Sequence, residues 1–266
     1  LAGISLLIFF VVVLSMLVAN KRAKEQNYKF TEALHTVSRL ARTASPQVYI
    51  QGLPPSAGMG TAGNLLISRN RTADLPPEPL TEEDKKEFAN LGQECRDIGA
   101  EIDAATFRKN NSKNVAELVF KIAQEMGLSQ YEAMLYFCVS LVYDIGFLDV
   151  KSEFLEAGSL SDYQKEQIRD HVRKGTFQLG FVPEKYRPVF EDGVLMHHEN
   201  MDGSGYPDGL SGEDIPFIAR LIRVAESFVA LISKRNYRDI FDKESAVREL
   251  QACPGQYDQE IVAVLE

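Results

Sequence analysis

Basic residues are in short supply: 29 lysines and arginines face 38 acidic residues, leaving a net charge of -9. A chain that grips nucleic acid along its phosphates needs a basic surface, so this balance argues against broad nucleic-acid binding. A small anion held by a local cluster of arginines remains open. Cysteine is sparse as well. Cys95, Cys138 and Cys253 are odd in number and lack CxxC spacing, which fits a reducing compartment, with Cys138 as a core residue. Strand signals are absent beyond residue 81, which leaves a helical bundle as the fold class. The N-terminus lacks the charged leader and small-residue cleavage site of a signal peptide.

What stands there instead is Leu1 to Ala19, apolar apart from Gly3, Ser5 and Ser15. At 1.5 Å per residue it reaches about 28 Å, close to bilayer thickness. Residues 1–20 therefore read as a transmembrane helix. Lys21, Arg22 and Lys24 follow and place the remainder in the cytoplasm. Residues 21–44 carry Phe30, Leu34, Val37 and Leu40 on one face, an amphipathic connector in which His35 is an ordinary helix residue. Residues 45–80 are rich in proline and glycine and read as a linker. The string Gly58-Met59-Gly60-Thr61-Ala62-Gly63 lacks the strand and helix that a phosphate loop needs.

Residues 81–266 form the main domain. Helices are expected over 81–105, 112–127, 184–199, 215–234, 243–252 and from 258 onward. Ser129 with Glu132, and Ser161 with Gln164, have the spacing of capping boxes that open two more. Gly127 is placed to end the second helix. The first residue is Leu, and Glu266 sits inside an apolar-periodic run, so both ends read as cuts from a longer protein.

The most particular stretch is His197 to Leu210, HHENMDGSGYPDGL. Gly203, Gly205 and Gly209 supply conformations closed to other residues, and Pro207 removes a donor. Adjacent histidines on a helix point about 100° apart, so both can serve one ion only where the helix ends. With Glu199 and Asp202 close behind, the pattern suggests a metal or phosphate site at a helix terminus; a plain surface loop is the bland alternative.

These fourteen residues resemble the signature of the HD-GYP family, bacterial hydrolases of cyclic di-GMP within the HD superfamily. The resemblance extends more weakly from Asn111 to the chain end. It implies an HD-superfamily helical bundle and a site in which two or three transition-metal ions, bridged by an aspartate, generate an attacking hydroxide. By resemblance Asp144 is the bridging ligand, and Asp144, His171, His197 and His198 surround one metal. Asn111, Tyr143 and Glu226 fall where the other metal would bind, but an amide, a phenol and a lengthened carboxylate stand in place of histidine, histidine and aspartate. Phe147 replaces the lysine that would assist at the scissile phosphate. Phe107 falls where some members carry a further glutamate ligand, and Val172 replaces a proline after His171. Lys234, Arg235 and Arg238 match the basic segment that meets the dinucleotide phosphates, or form a solvated helix end. Gly205, Tyr206 and Pro207 would line the pocket or dock a partner.

Catalytic residues are thus not expected, since an imidazole in a metal shell is not replaced by a phenol. The surviving histidines hold a single iron, manganese or zinc ion, or remain as relics in ordinary hydrogen bonds. The function expected is a membrane-anchored signalling protein of the bacterial inner membrane, non-catalytic, binding cyclic di-GMP or partner signalling proteins. Two alternatives stand: a residual metal-dependent phosphodiesterase, and a structural dimerisation module without a small ligand.

Overall fold

The computed structural model describes residues 75–79, 81–155, 159–233 and 241–266. The expected span at 1–20, the connector at 21–44 and nearly all of the linker at 45–80 lie outside them. So do Lys234, Arg235 and Arg238.

Thr81 opens the described bundle, its Oγ1 accepting from the Asp84 amide at 3.0 Å. That bond caps α1 (Glu82–Ala105), whose first turn carries Glu82, Glu83 and Asp84 against the helix dipole. Phe88, Leu91, Cys95 and Ile102 recur at helical spacing and are buried. A short turn leads into α2 (Asn111–Glu125). Gly127, with φ +83°, ends it as expected.

Both capping boxes form. The Ser129 amide donates to Glu132 Oε2 at 2.7 Å while the Glu132 amide donates to Ser129 Oγ, opening α3 (Gln130–Val142). Ser161 and Gln164 do the same for α5 (Asp162–Arg169), which follows the single-turn α4 (Ser152–Leu155). The helix α6 (His171–Phe177) comes directly after α5.

The helix expected over 184–199 is shorter. Residues Glu184–Tyr186 form a 3-10 turn, and α7 runs only from Arg187 to Met196. Pro188, which has no N–H to give, sits in its first turn, where none is needed. The helix stops at His197, and the histidine pair lies at its open end. Next come α8 (Phe217–Ile232), α9 (Lys243–Gln251) and α10 (Gln259–Ala263).

α3 packs against α1 and α2, and α8 against α2, α7 and α9. Val115 and Val119 of α2, Leu135, Cys138 and Val139 of α3, and Leu221, Ile222 and Val224 of α8 are sealed in this core. Gln130–Asp149 is apolar enough to cross a membrane by length and composition, but 83% of that window is buried inside the bundle. Its apolarity is used mostly by packing. Among the described residues the one extended pairing is an isolated bridge between Asp202 and Ser211. The fold is all-helical, as the sequence implied.

One contact positions the site. A β-carbon on Gly146 would strike the carbonyl oxygen of His171 and come within 2.7 Å of the Gly175 amide. The 3-10 segment Ile145–Asp149 and α6 therefore meet backbone to backbone, which sets Asp144 beside His171.

Candidate metal centre

Asp144, His171 and His197 come from three separate elements and are 1%, 1% and 0% exposed. His171 Nδ1 lies 2.7 Å from the Ile168 carbonyl oxygen, and His197 Nδ1 lies 3.0 Å from those of Gly193 and Val194. A carbonyl only accepts, so each Nδ1 carries the ring proton and each Nε2 presents a bare lone pair. The two Nε2 atoms face each other at 3.3 Å. Asp144 Oδ1 lies 3.3 Å from one and 3.5 Å from the other, and it is buried without an aligned hydrogen bond.

Three acceptors thus converge on one point, which calls for a cation. An imidazolium proton could serve only one of the three contacts, whereas a metal ion serves all. Backbone carbonyls already orient both rings from behind, as they do behind metal-ligating imidazoles. The nearest ligand atom of His198 completes a set of four lying within 4.8 Å of one another. Burial pushes the His198 imidazole well below its usual range. Mixed imidazole and carboxylate donors suit iron, manganese or zinc, and the residues present fit such an ion.

The other side of Asp144 is different. Its Oδ2 accepts from Arg108 Nη2 at 2.6 Å, and Arg108 Nη1 lies 3.9 Å from Glu226 Oε1. Burial pushes the Asp144 carboxyl up, but the Arg108 guanidinium outweighs it and holds the group well below the usual range. Arg108 reaches this position from a turn with two non-glycine residues in the left-handed region, Phe107 at φ 56° and Asn110 at φ 57°. For Phe107 this costs on the order of 1 kcal/mol of backbone strain, whereas asparagine adopts the conformation readily. Phe107 itself is 64% exposed and stands outside the site, so the residue this turn brings in is its neighbour.

Asn111 and Tyr143 meet each other: Asn111 Nδ2 donates to the Tyr143 hydroxyl at 3.0 Å. Burial, then Asp144 and Glu226, push the Tyr143 phenol well above its usual range, so it stays neutral. Phe147 stacks on His171 with ring centres 4.1 Å apart and 16° between planes. The Arg108 guanidinium lies 5.2 Å from the centre of the same phenyl ring.

The glycine-rich loop closes over His198. Tyr206 stacks on it at 4.7 Å, and the Tyr206 amide donates to the His198 carbonyl. Glu199 and Asp202, which looked like donors for an ion, brace the loop instead. Glu199 Oε1 accepts from the amides of Asp208 and Gly209 at 2.8 and 3.1 Å. Asp202 Oδ1 accepts from the Ser204 amide and hydroxyl. A β-carbon on Gly205 would collide with the backbone of His198, Glu199 and Asn200, so the turn closes only around glycine. The loop is also held from α5 and α6, where Arg169 lies over the Tyr206 ring at 5.3 Å. Arg173 donates to the Pro207 carbonyl and to Asp208.

Of the expected residues, the structure gathers Asp144, His171, His197 and His198, sets Gly205 and Tyr206 against His198 with the Pro207 carbonyl bonded to Arg173, and pairs Asn111 with Tyr143. Arg108 and Arg169 escaped the sequence reading. Neither carries a local signature, and each reaches the site only through the fold.

The HD domain family matches residues 94–261. The chain is 32% identical over 178 residues to a protein of Xanthomonas campestris called cyclic di-GMP phosphodiesterase response regulator RpfG, covering 66% of this chain and 46% of the other. A cyclic di-GMP phosphodiesterase of Thermotoga maritima is 32% identical over 182 residues, again 66% and 46%. A 3'3'-cGAMP-specific phosphodiesterase 2 of Vibrio cholerae is 32% identical over 146 residues, 54% of this chain and 28% of the other. The chain therefore spans less than half the length of these relatives.

Proposed function

The chain belongs to the HD domain family and carries the HD-GYP signature, and from that premise we propose that it is a non-hydrolysing member holding one metal ion and recognising a cyclic dinucleotide as a signal. The observation that carries this reading is the Asn111–Tyr143 pair. Two side chains that resemblance places where imidazoles would bind a second ion are instead neutral and bonded to each other. Phe147, at the position of an assisting lysine, offers His171 a ring face rather than an ammonium.

A transition-metal ion would supply Lewis acidity toward a phosphoryl oxygen. His171 and His197 would hold it through Nε2, each ring fixed by its Nδ1–H on a backbone carbonyl, with Asp144 Oδ1 and His198 beside them. Tyr206, stacked on His198 and backed by Arg169, would form one wall of the ligand site. The names of the relatives support cyclic di-GMP or 3'3'-cGAMP as the ligand class. Arg235 and Arg238 belong to this proposal as phosphate contacts, and the loop Gly205-Tyr206-Pro207 as the face toward ligand or partner protein. The apolar segment at 1–20 supports an anchor in the bacterial cytoplasmic membrane, with the domain on the cytoplasmic side. A second copy of the chain is the further partner.

Each lost electrostatic stabiliser removes on the order of 10²–10³ in rate, and several are missing together. The intact set of four ligands favours a second reading, residual phosphodiesterase activity. One experiment separates them: manganese-loaded protein is titrated with cyclic di-GMP and with 3'3'-cGAMP in a calorimeter, and the same samples are chromatographed for linear dinucleotide. Saturable heat without product above a chelated control is expected. Metal-dependent turnover would establish the enzyme instead, and no heat with either ligand would leave a purely structural dimer module.

A further inference from the structure

We propose that the Arg108 guanidinium is a built-in cation that takes the place of a second metal ion at Asp144, limiting the site to one ion per chain. This rests on the single-ion reading above and adds the device that enforces it.

Asp144 is a two-sided carboxylate. Oδ1 faces the imidazole nitrogens and lacks an aligned hydrogen bond, whereas Oδ2 is bound to Arg108 at 2.6 Å. Glu226 reaches the same guanidinium from α8. Two carboxylates, 1% and 16% exposed, thus converge on one arginine that is itself only 21% exposed. Without a cation there, a buried and a part-buried carboxylate would face each other uncompensated. An arginine charge is permanent at any working pH, so this cation is neither lost nor exchanged. Asn111 and Tyr143, also on this side, carry no charge, and Asp103, near enough to interact with both Arg108 and Asp144, has its Oδ1 occupied by the Ser112 amide and hydroxyl. The two left-handed residues flanking Arg108, Phe107 and Asn110, and the Phe147 ring beneath its guanidinium, hold the side chain where it is. A divalent ion bound between Asp144 and Glu226 would have to displace it.

The probe is manganese(II) alone, on the full chain. Number and affinity come from equilibrium dialysis with elemental analysis, and electron paramagnetic resonance separates an isolated ion from a spin-coupled pair. The wild type should bind one uncoupled ion. Arg108→Gln should bind its first ion about tenfold more tightly or better, because a neighbouring positive charge is gone, and should accept a second, coupled ion. Arg108→Gln with Glu226→Gln should return to one. Arg108→Lys, which keeps the charge, should stay at one ion with affinity near wild type, and it tests the proposal if Arg108→Gln fails to fold. A second ion on Arg108→Lys would refute the role of the charge. An Arg108→Gln protein indistinguishable from a one-ion wild type overturns the role of Arg108 and leaves the single-ion reading standing. Zero or two ions on the wild type overturn both.

Discussion

Replacing Asp144 with asparagine tests how much of the domain's stability depends on this carboxylate. The substituted amide would keep the shape and one carbonyl oxygen but remove the charge that holds Arg108. The pair is short, 2.6 Å, and buried, with side chains 21% and 1% exposed. Removing one partner of such a pair costs about 3–5 kcal/mol, because the other charge is left without compensation. Glu226, 3.9 Å from the guanidinium, recovers part of that, which puts the expected loss near the lower end, about 3 kcal/mol. For a domain of this size each kcal/mol moves the midpoint by about 2–4 °C, so Tm should fall by about 6–12 °C. The assay is thermal and urea unfolding at neutral pH in chelator, so that no ion contributes.

Arg173→Ala serves as the comparison. Its pair with Asp208 is nearly as short, 3.0 Å, but the side chains are 53% and 45% exposed, so the loss should stay under about 1 kcal/mol. Equal losses for the two variants would refute the assignment of Arg108 as a buried counter-charge. The pH dependence follows from the same site. The folded-state pKa of Asp144 is depressed, so its contribution is fully present above the ordinary aspartate value of 3.8 and is lost as pH falls through the folded-state value. The asparagine variant should therefore lose less stability than the wild type on acidification from about pH 5 downward.

Tyr143→Phe removes the acceptor for a buried Asn111 amide and should cost about 1–3 kcal/mol in urea unfolding; a neutral outcome would mean that Asn111 has another partner. Gly205→Ala forces a β-carbon into the backbone of residues His198 to Asn200 and should destabilise by about 1–3 kcal/mol, with weaker dinucleotide binding in calorimetry. An unchanged Tm would show that the loop gives way. Leu221→Ala, at a fully buried core position of α8, should cost about 2–5 kcal/mol. A loss below about 1 kcal/mol would place that side chain outside the core.

What could be read from residues alone depended on how local the cause was. Ser129 with Glu132 and Ser161 with Gln164 are complete within four residues, and both boxes form. The apolar run of α8 and the stripe of α1 need only helical spacing. The stop of α7 before His197 was less legible, because Pro188 and a 3-10 turn move the start while the end depends on the loop beyond. Asp144, His171, His197 and His198 came to attention through a signature, and the fold brings them within reach of one another. Glu199 and Asp202 share that signature yet face the loop amides, a difference of side-chain direction that spacing does not encode. Arg108 was missed for a physical reason. Its delivery depends on Phe107 and Asn110 adopting left-handed backbone, which asparagine tolerates but phenylalanine does not advertise, and its partners, Asp144 and Glu226, lie far along the chain. Similarity drew attention to Phe107 next door, the residue that the turn excludes.

The central claim is that one cation sits among the imidazoles while the far side of Asp144 is closed to another. Anomalous X-ray scattering from crystals grown with manganese(II) addresses it directly. A single peak shared by Asp144 Oδ1, His171 and His197, with Arg108 still on Asp144 Oδ2, is the predicted result. Two peaks astride Asp144, one of them reached by Glu226 with Arg108 swung away, would contradict it.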